Sequence, residues 1–293
     1  MLSKVLSLRL PFSSWLLLPI ALVLGVAGIL IFNGPGTFNA ENVTGFLGSD
    51  FALYLLVGFI AQMVDGALGM AYGATSSSFL LGMGVPPAIS STSVHVAEMF
   101  TTGASAISHF RFKNINKKLF KSLLIPGVIG AVTGAYLLSD VIDGDFIKPF
   151  IAFYMLILGL IIIRKALLTK LAKTKTKRIG VLAAAGGFLD SIGGGGWGPI
   201  VTSSLLGQGR DPRYTIGSVN AAEFVISFSS GITFLFFHGV ASWQVVLGLI
   251  VGGVIASPFG ALLVGRIKRK PLMLIVGALV IFLSTRTILQ SLI

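Results

Sequence analysis

The sequence predicts an all-α polytopic membrane protein, with about seven full transmembrane helices plus two re-entrant broken-helix hairpins, arranged as two inverted-topology repeats. Three observations predict it. A mean hydropathy of +0.93, with 54% hydrophobic and 11% charged residues over 293 residues, describes no soluble domain. The stretch that begins at Gly58 recurs without a gap at the displacement that carries Asp65 onto Asp190. The Lys and Arg residues sit in short connections between apolar runs, as they do where basic residues set orientation in a membrane. The net charge of +12 is therefore a matter of topology, and no nucleic-acid partner is expected. With no cysteine there is no disulfide framework, thiol nucleophile or thiolate metal site.

Taken in order, residues 1–50 open with Lys4 and Arg9 and an apolar run from about Trp15 to Phe32. Asn33-Gly-Pro-Gly is a poor cleavage site, so this run reads as a retained span with a cytoplasmic N-terminus. The loop that follows, up to Asp50, has no Lys or Arg and is expected outside. Residues 51–169 form the first repeat. Its apolar stretch from Phe51 to Leu81 is too long for one span and holds Asp65-Gly66 near its middle. Three spans follow, at about 88–110, 119–138 and 147–168. A basic linker at 170–178 is expected in the cytoplasm. Residues 179–293 form the second repeat, with a hairpin at 179–206 and spans at about 214–237, 243–264 and 271–289.

Counting basic loops decides the path. If Phe51–Leu81 crossed once, the next span would deliver Arg111, Lys113, Lys117 and Lys118 to the outside, against the usual bias. If it enters and returns on one side, and residues 179–206 do the same, every basic loop falls inside. Each repeat then makes an odd number of crossings, so the two are inverted relative to each other. Secondary transporters commonly have this layout, with substrate held near the midplane where the repeats meet.

The duplication also marks polar residues. Asp65 aligns with Asp190, Gly69 with Gly194, Ser78 with Ser203, Ser93 with Ser218, His95 with Asn220, and Glu98 with Glu223. A hairpin that breaks its helix inside the membrane exposes backbone N–H groups, which form an anion site without Lys or Arg. The expected substrate-binding residues are Asp65, Gly69, Ser76, Ser77, Ser78 and Ser93 in the first half. In the second half they are Asp190, Gly194, Gly195, Gly196, Thr202, Ser203, Ser218 and Asn220. The same residue types also line close helix contacts in membranes, and an aspartate beside a helix N-terminus also serves as a cap. Glu98 and Glu223 lie about ten residues into their spans, roughly 15 Å deep. With His95, three residues before Glu98 on the same helix face, they are the candidates for carrying a coupling proton.

The duplicated GF-x(n)-D-x(n)-G-rich segment, the S-x-x-x-x-E stretches at Ser93–Glu98 and Ser218–Glu223, and the basic linker resemble the sulfite exporter TauE/SafE family of bacterial membrane permeases. The resemblance runs from about Phe51 to Leu289. It implies transport of a small anion, sulfite or a related sulfur-containing or organic anion, across the cytoplasmic (inner) membrane of a bacterium. The first hairpin departs from the Gly-rich pattern, with Met70-Ala71 where the second has Gly195-Gly196. The expected partners are the anion, protons or another coupling ion, and membrane lipid, with a homodimer as one open assembly. No catalytic residue, metal or cofactor is expected, and the chain is not read as an enzyme. Two other readings stay open: an anion channel, and an intramembrane hydrolase using Asp65 and Asp190 as a dyad. The absence of a GxxxxGK[ST] loop excludes transport driven by the chain's own ATP hydrolysis.

Overall fold

The computed structural model describes residues 49–111, 113–168, 178–208, 210–239, 242–263 and 269–291. The expected first span, its outside loop and most of the basic linker lie outside the described residues. The described helices from Phe51 onward form one compact unit. In chain order they are α1 (Ser49–Leu68), α2 (Tyr72–Gly82), α3 (Pro87–Arg111), α4 (Lys117–Tyr136) and α5 (Gly144–Leu167). Then come α6 (Ile179–Gly193), α7 (Ser203–Gly207), α8 (Pro212–His238), α9 (Trp243–Leu263) and α10 (Arg269–Ser291). A π-helical turn, Leu137–Val141, prolongs α4, and another, Gly198–Thr202, leads directly into α7.

The helices begin where their sequences supply caps. The Asn116 side chain accepts from the backbone of Lys118 and Leu119 at 3.0 and 3.1 Å, and starts α4. Asp211 does the same for α8 with Arg213 and Tyr214, and Pro212 takes the first helical position. The breaks have a different cause. Gly69 and Gly194, which the duplication pairs, have φ of 69° and 68°, a left-handed conformation that ends α1 and α6 alike. Ala71 also has a positive φ, 99°, where its repeat partner is Gly196. A Cβ there is strained by about 1 kcal/mol.

Helix directions follow from the glycine contacts. Gly130 abuts Ala184, and Gly134, one turn on, abuts Phe188, so α4 and α6 run the same way. Asn116 meets Ser218 and Gly127 meets Ile226, so α8 runs with them. Gly248 abuts Phe51 and Tyr54, and Gly252 abuts Leu55 and Phe59, so α1 runs with α9. By contrast, Ser105 pairs with Asn220 and Glu98 with Ser227, so α3 and α8 are antiparallel. Gly159 against Ile281 and Gly277 against Ile163 make α5 and α10 antiparallel as well.

Polarity is distributed inside out. Phe236, Phe110 and Phe146 are 83%, 72% and 68% exposed, while Gln62, Ser76, His95 and Asn220 are fully buried. Large apolar side chains on the outside and polar ones within suit a lipid surround. Four helices among the described residues are long and apolar enough to cross a membrane: Lys117–Val141, Phe146–Leu167, Pro212–His238 and Met273–Gln290. Ile179–Gly193 and Trp243–Ser257 are shorter apolar helices.

Candidate functional site

The two helix breaks meet. A Cβ on Gly73 would lie 2.9 Å from the Gly195 Cα, and one on Gly198 would lie 2.7 Å from the Met70 Cβ. Under the duplication Gly73 corresponds to Gly198 and Met70 to Gly195, so these are one contact made twice with the halves exchanged. Gly194 and Gly195 are filled against Ser77, Gly73 and Ala74, and the Ser77 hydroxyl donates to the Gly194 carbonyl. The glycines therefore bring the two broken backbones into contact.

Asp190 is fixed by the second break. Its Oδ1 accepts the backbone N–H of Gly196 at 2.7 Å and of Trp197 at 2.8 Å, the free donors at the head of the returning helical run. Its Oδ2 stands 3.3 Å from His95 Nε2. Asp65, the repeat partner, faces the backbone of Tyr72 but closes no hydrogen bond of ordinary geometry there. Both aspartates are buried.

The tautomer of His95 follows from its neighbours. Nδ1 lies 2.8 Å from the Ser91 carbonyl, which can only accept, so Nδ1 carries a hydrogen. The Ser91 hydroxyl donates to the Ser191 carbonyl at 2.7 Å and leaves its lone pairs toward Nδ1, at 3.3 Å. Nε2 and Asp190 Oδ2 face each other across that distance, and neither closes a hydrogen bond of ordinary geometry among the described residues. Glu98 completes the group. His95, Glu98 and Asp190 each place a nitrogen or a carboxylate oxygen within 4.8 Å of the others, all buried. Glu98 Oε2 accepts from the Ser227 hydroxyl at 3.1 Å, and Oε1 lies against Gly73. Glu223 is buried within electrostatic reach of Asp65, Glu98 and Asp190, with Oε2 unbonded.

The structure thus gathers Asp65, Gly69, Ser77, His95, Glu98, Asp190, Gly194, Gly195, Gly196 and Glu223 around the junction of the breaks. Ser76 and Ser78 are buried on α2 with hydroxyls unbonded, and Ser93 is buried on α3. Other expected residues serve elsewhere. Ser218 accepts the Asn116 N–H at 2.8 Å and fastens α8 to the start of α4. Ser203 donates to the Pro199 carbonyl and receives the Lys165 ammonium. Asn220 donates to Ser105 at 3.1 Å, with its Oδ1 unbonded, and the buried Thr202 hydroxyl is likewise unbonded.

Sequence reasoning missed Tyr154, whose buried hydroxyl is unbonded and is the first atom a Cβ on Gly196 would strike. Its repeat partner is Leu279, so the duplication carried no signal for it. Lys165 was missed for the same reason, since Gln290 stands at its partner position. Gln62 did carry a signal. It lies one helical turn before Asp65 on the same face, and both of its amide atoms are buried and unbonded.

A family model described as sulfite exporter TauE/SafE matches residues 54–287. A probable membrane transporter protein, YtnM, of Bacillus subtilis (strain 168) is 40% identical over 249 residues, 82% of this chain and 83% of that protein. A probable membrane transporter protein of Xylella fastidiosa (strain Temecula1) is 25% identical over 258 residues, 80% of this chain and 92% of that one. No solved structure matches the chain.

Proposed function

The chain belongs to the sulfite exporter TauE/SafE family, and on that premise we propose that this multi-pass membrane protein is a secondary transporter. It moves a small anion, sulfite or another sulfur-containing or organic anion, across the inner membrane of a bacterium by alternating access, with protons as the coupling ion. The observation that carries this reading is the buried His95–Asp190 pair, which joins α3 of one half to α6 of the other beside Glu98. A centre built from both halves changes its surroundings when the halves rock against each other.

The two re-entrant hairpins of the inverted-repeat reading draw support from the helix directions. Because α6 runs with α4, and α4 with α8, the chain between α6 and α8 must turn back. On the other side α1 runs with α9, α9 returns from α8 through a short connection, and α8 opposes α3. So α1 and α3 share a direction, and α2 turns back. The antiparallel pairs α3–α8 and α5–α10 join repeat-related helices, which an axis in the membrane plane requires.

The crowding of charge supports proton coupling. Asp65, Glu98, Asp190 and Glu223 crowd one buried centre with His95 as their neighbouring base. An anion about 5 Å from one ionised carboxylate is repelled by roughly 3 kcal/mol at an effective dielectric constant of about 20. Protons that enter with the anion would remove that repulsion. Purified protein in liposomes, given a panel of sulfite, sulfate, thiosulfate, sulfonates and small carboxylates, tests the reading. Saturable uptake of one of them, stimulated by an imposed pH gradient, is expected. Current that neither saturates nor responds to pH would instead mark a channel.

A further inference from the structure

We infer that Asp190 is a tethered stand-in for the transported anion: its carboxylate occupies the oxyanion site at the second break, and substrate binds there once the side chain is discharged and withdrawn. The inference rests on the anion-transport reading and names the donors of its site. Three observations carry it. Asp190 Oδ1 takes the Gly196 and Trp197 N–H groups together, at 2.7 and 2.8 Å, as one oxygen of a bound oxyanion would. The Tyr154 hydroxyl lies against Gly196, is buried, and has no partner among the described residues, so a donor stands ready that the carboxylate leaves unused. The second oxygen of Asp190 faces His95 Nε2 at 3.3 Å, and His95 is itself fully buried.

Cap and plug are thus one group. While ionised, Asp190 holds both N–H donors and repels a second anion. A proton taken up on His95 Nε2 passes to Asp190 Oδ2, which leaves the imidazole neutral with its Nδ1–H still donated to the Ser91 carbonyl. The carboxyl then carries no charge and competes weakly for the N–H groups, which a sulfite oxygen can take. The titratable groups facing Asp190 are His95 and Glu98 from α3, Asp65 from α1, Tyr154 from α5 and Glu223 from α8. All but His95 are acids, so a charged Asp190 and a bound anion exclude each other.

The test measures equilibrium binding of radiolabelled sulfite to the full chain in detergent at one pH and salt concentration. Asp190→Ala removes the plug. Asp190→Asn keeps an acceptor for the two N–H groups, and with it the fold, but removes the charge. Both variants are expected to hold sulfite at least about tenfold more tightly than wild type, since each removes a charge from the anion's own site. If Asp190→Ala does not fold, Asp190→Asn alone decides. Folded variants that bind sulfite no better than wild type, or not at all, overturn the inference. Sulfite uptake by wild-type liposomes is scored separately. Tight binding by the variants without uptake by wild type would keep the plug and remove sulfite transport.

Discussion

His95 Nε2 lies 3.3 Å from Asp190 Oδ2, and the pair links the long helix α3 of the first half to the break of the second. Its Nδ1 is already committed to Ser91, so only Nε2 can pass a proton toward the carboxylate. His95→Gln keeps hydrogen-bonding capacity but cannot take up and release a proton. Accumulation driven by a pH gradient is expected to fall about a hundredfold or more, the scale on which loss of a positioned proton-transfer group is felt. Exchange of labelled substrate at equal pH should survive better. Equal loss in both assays would mean a structural role.

Glu98 and Glu223 are not equivalent in their surroundings. Glu98 accepts from Ser227 and stands with His95 and Asp190, whereas Glu223 has an unbonded oxygen and acids as its neighbours. Glu98→Gln is expected to abolish pH-driven accumulation with folding intact, and Glu223→Gln to reduce it less. Uphill transport by the double variant at the wild-type level would remove both from the mechanism.

The backbone contact at the breaks sets a stability prediction of two signs. Gly195→Ala drives a methyl into the Ala74 backbone, which cannot give as a side chain can, and should cost about 1–3 kcal/mol or more. Ala71→Gly relieves the positive φ at the matching place in the first break and should gain up to about 1 kcal/mol. Thermal unfolding in detergent should move in opposite directions for the two. A lower midpoint for Ala71→Gly would count against the conformation of that break.

Orientation can be read from either end of α4, because Lys117 and Asp140 are exposed and the chain has no cysteine of its own. Cysteine at 140 should react with an impermeant reagent added outside intact cells. Cysteine at 117 should react only after the membrane is permeabilised. The reverse pattern would turn the whole topology over.

The breaks and their acids were legible because duplication records the same place twice. Gly69 and Gly194 share one φ, and Asp65, Asp190, Glu98 and Glu223 gather at one centre. What lies across from a residue leaves no such record. Ser203 and Ser218 matched Ser78 and Ser93 in sequence, yet they are taken up by Lys165 and Asn116 in the fold. Tyr154 enters the centre from α5, where the other half has Leu279, so only packing could show it. The run Gly193–Gly196 suggested room for a ligand against the backbone. The room at Gly194 and Gly195 is filled by Ser77, Gly73 and Ala74 at the other helix break.

In the proposed function, protons travel with the anion through the His95–Glu98–Asp190 centre. The most direct measurement is proton movement itself, read by a pH-sensitive dye sealed in liposomes while sulfite runs down its gradient. Wild type should show sulfite-dependent proton movement in the direction of the anion, beyond that of protein-free liposomes. Glu98→Gln should show none while still exchanging labelled sulfite. Sulfite flux through wild type with no accompanying proton movement would contradict the claim.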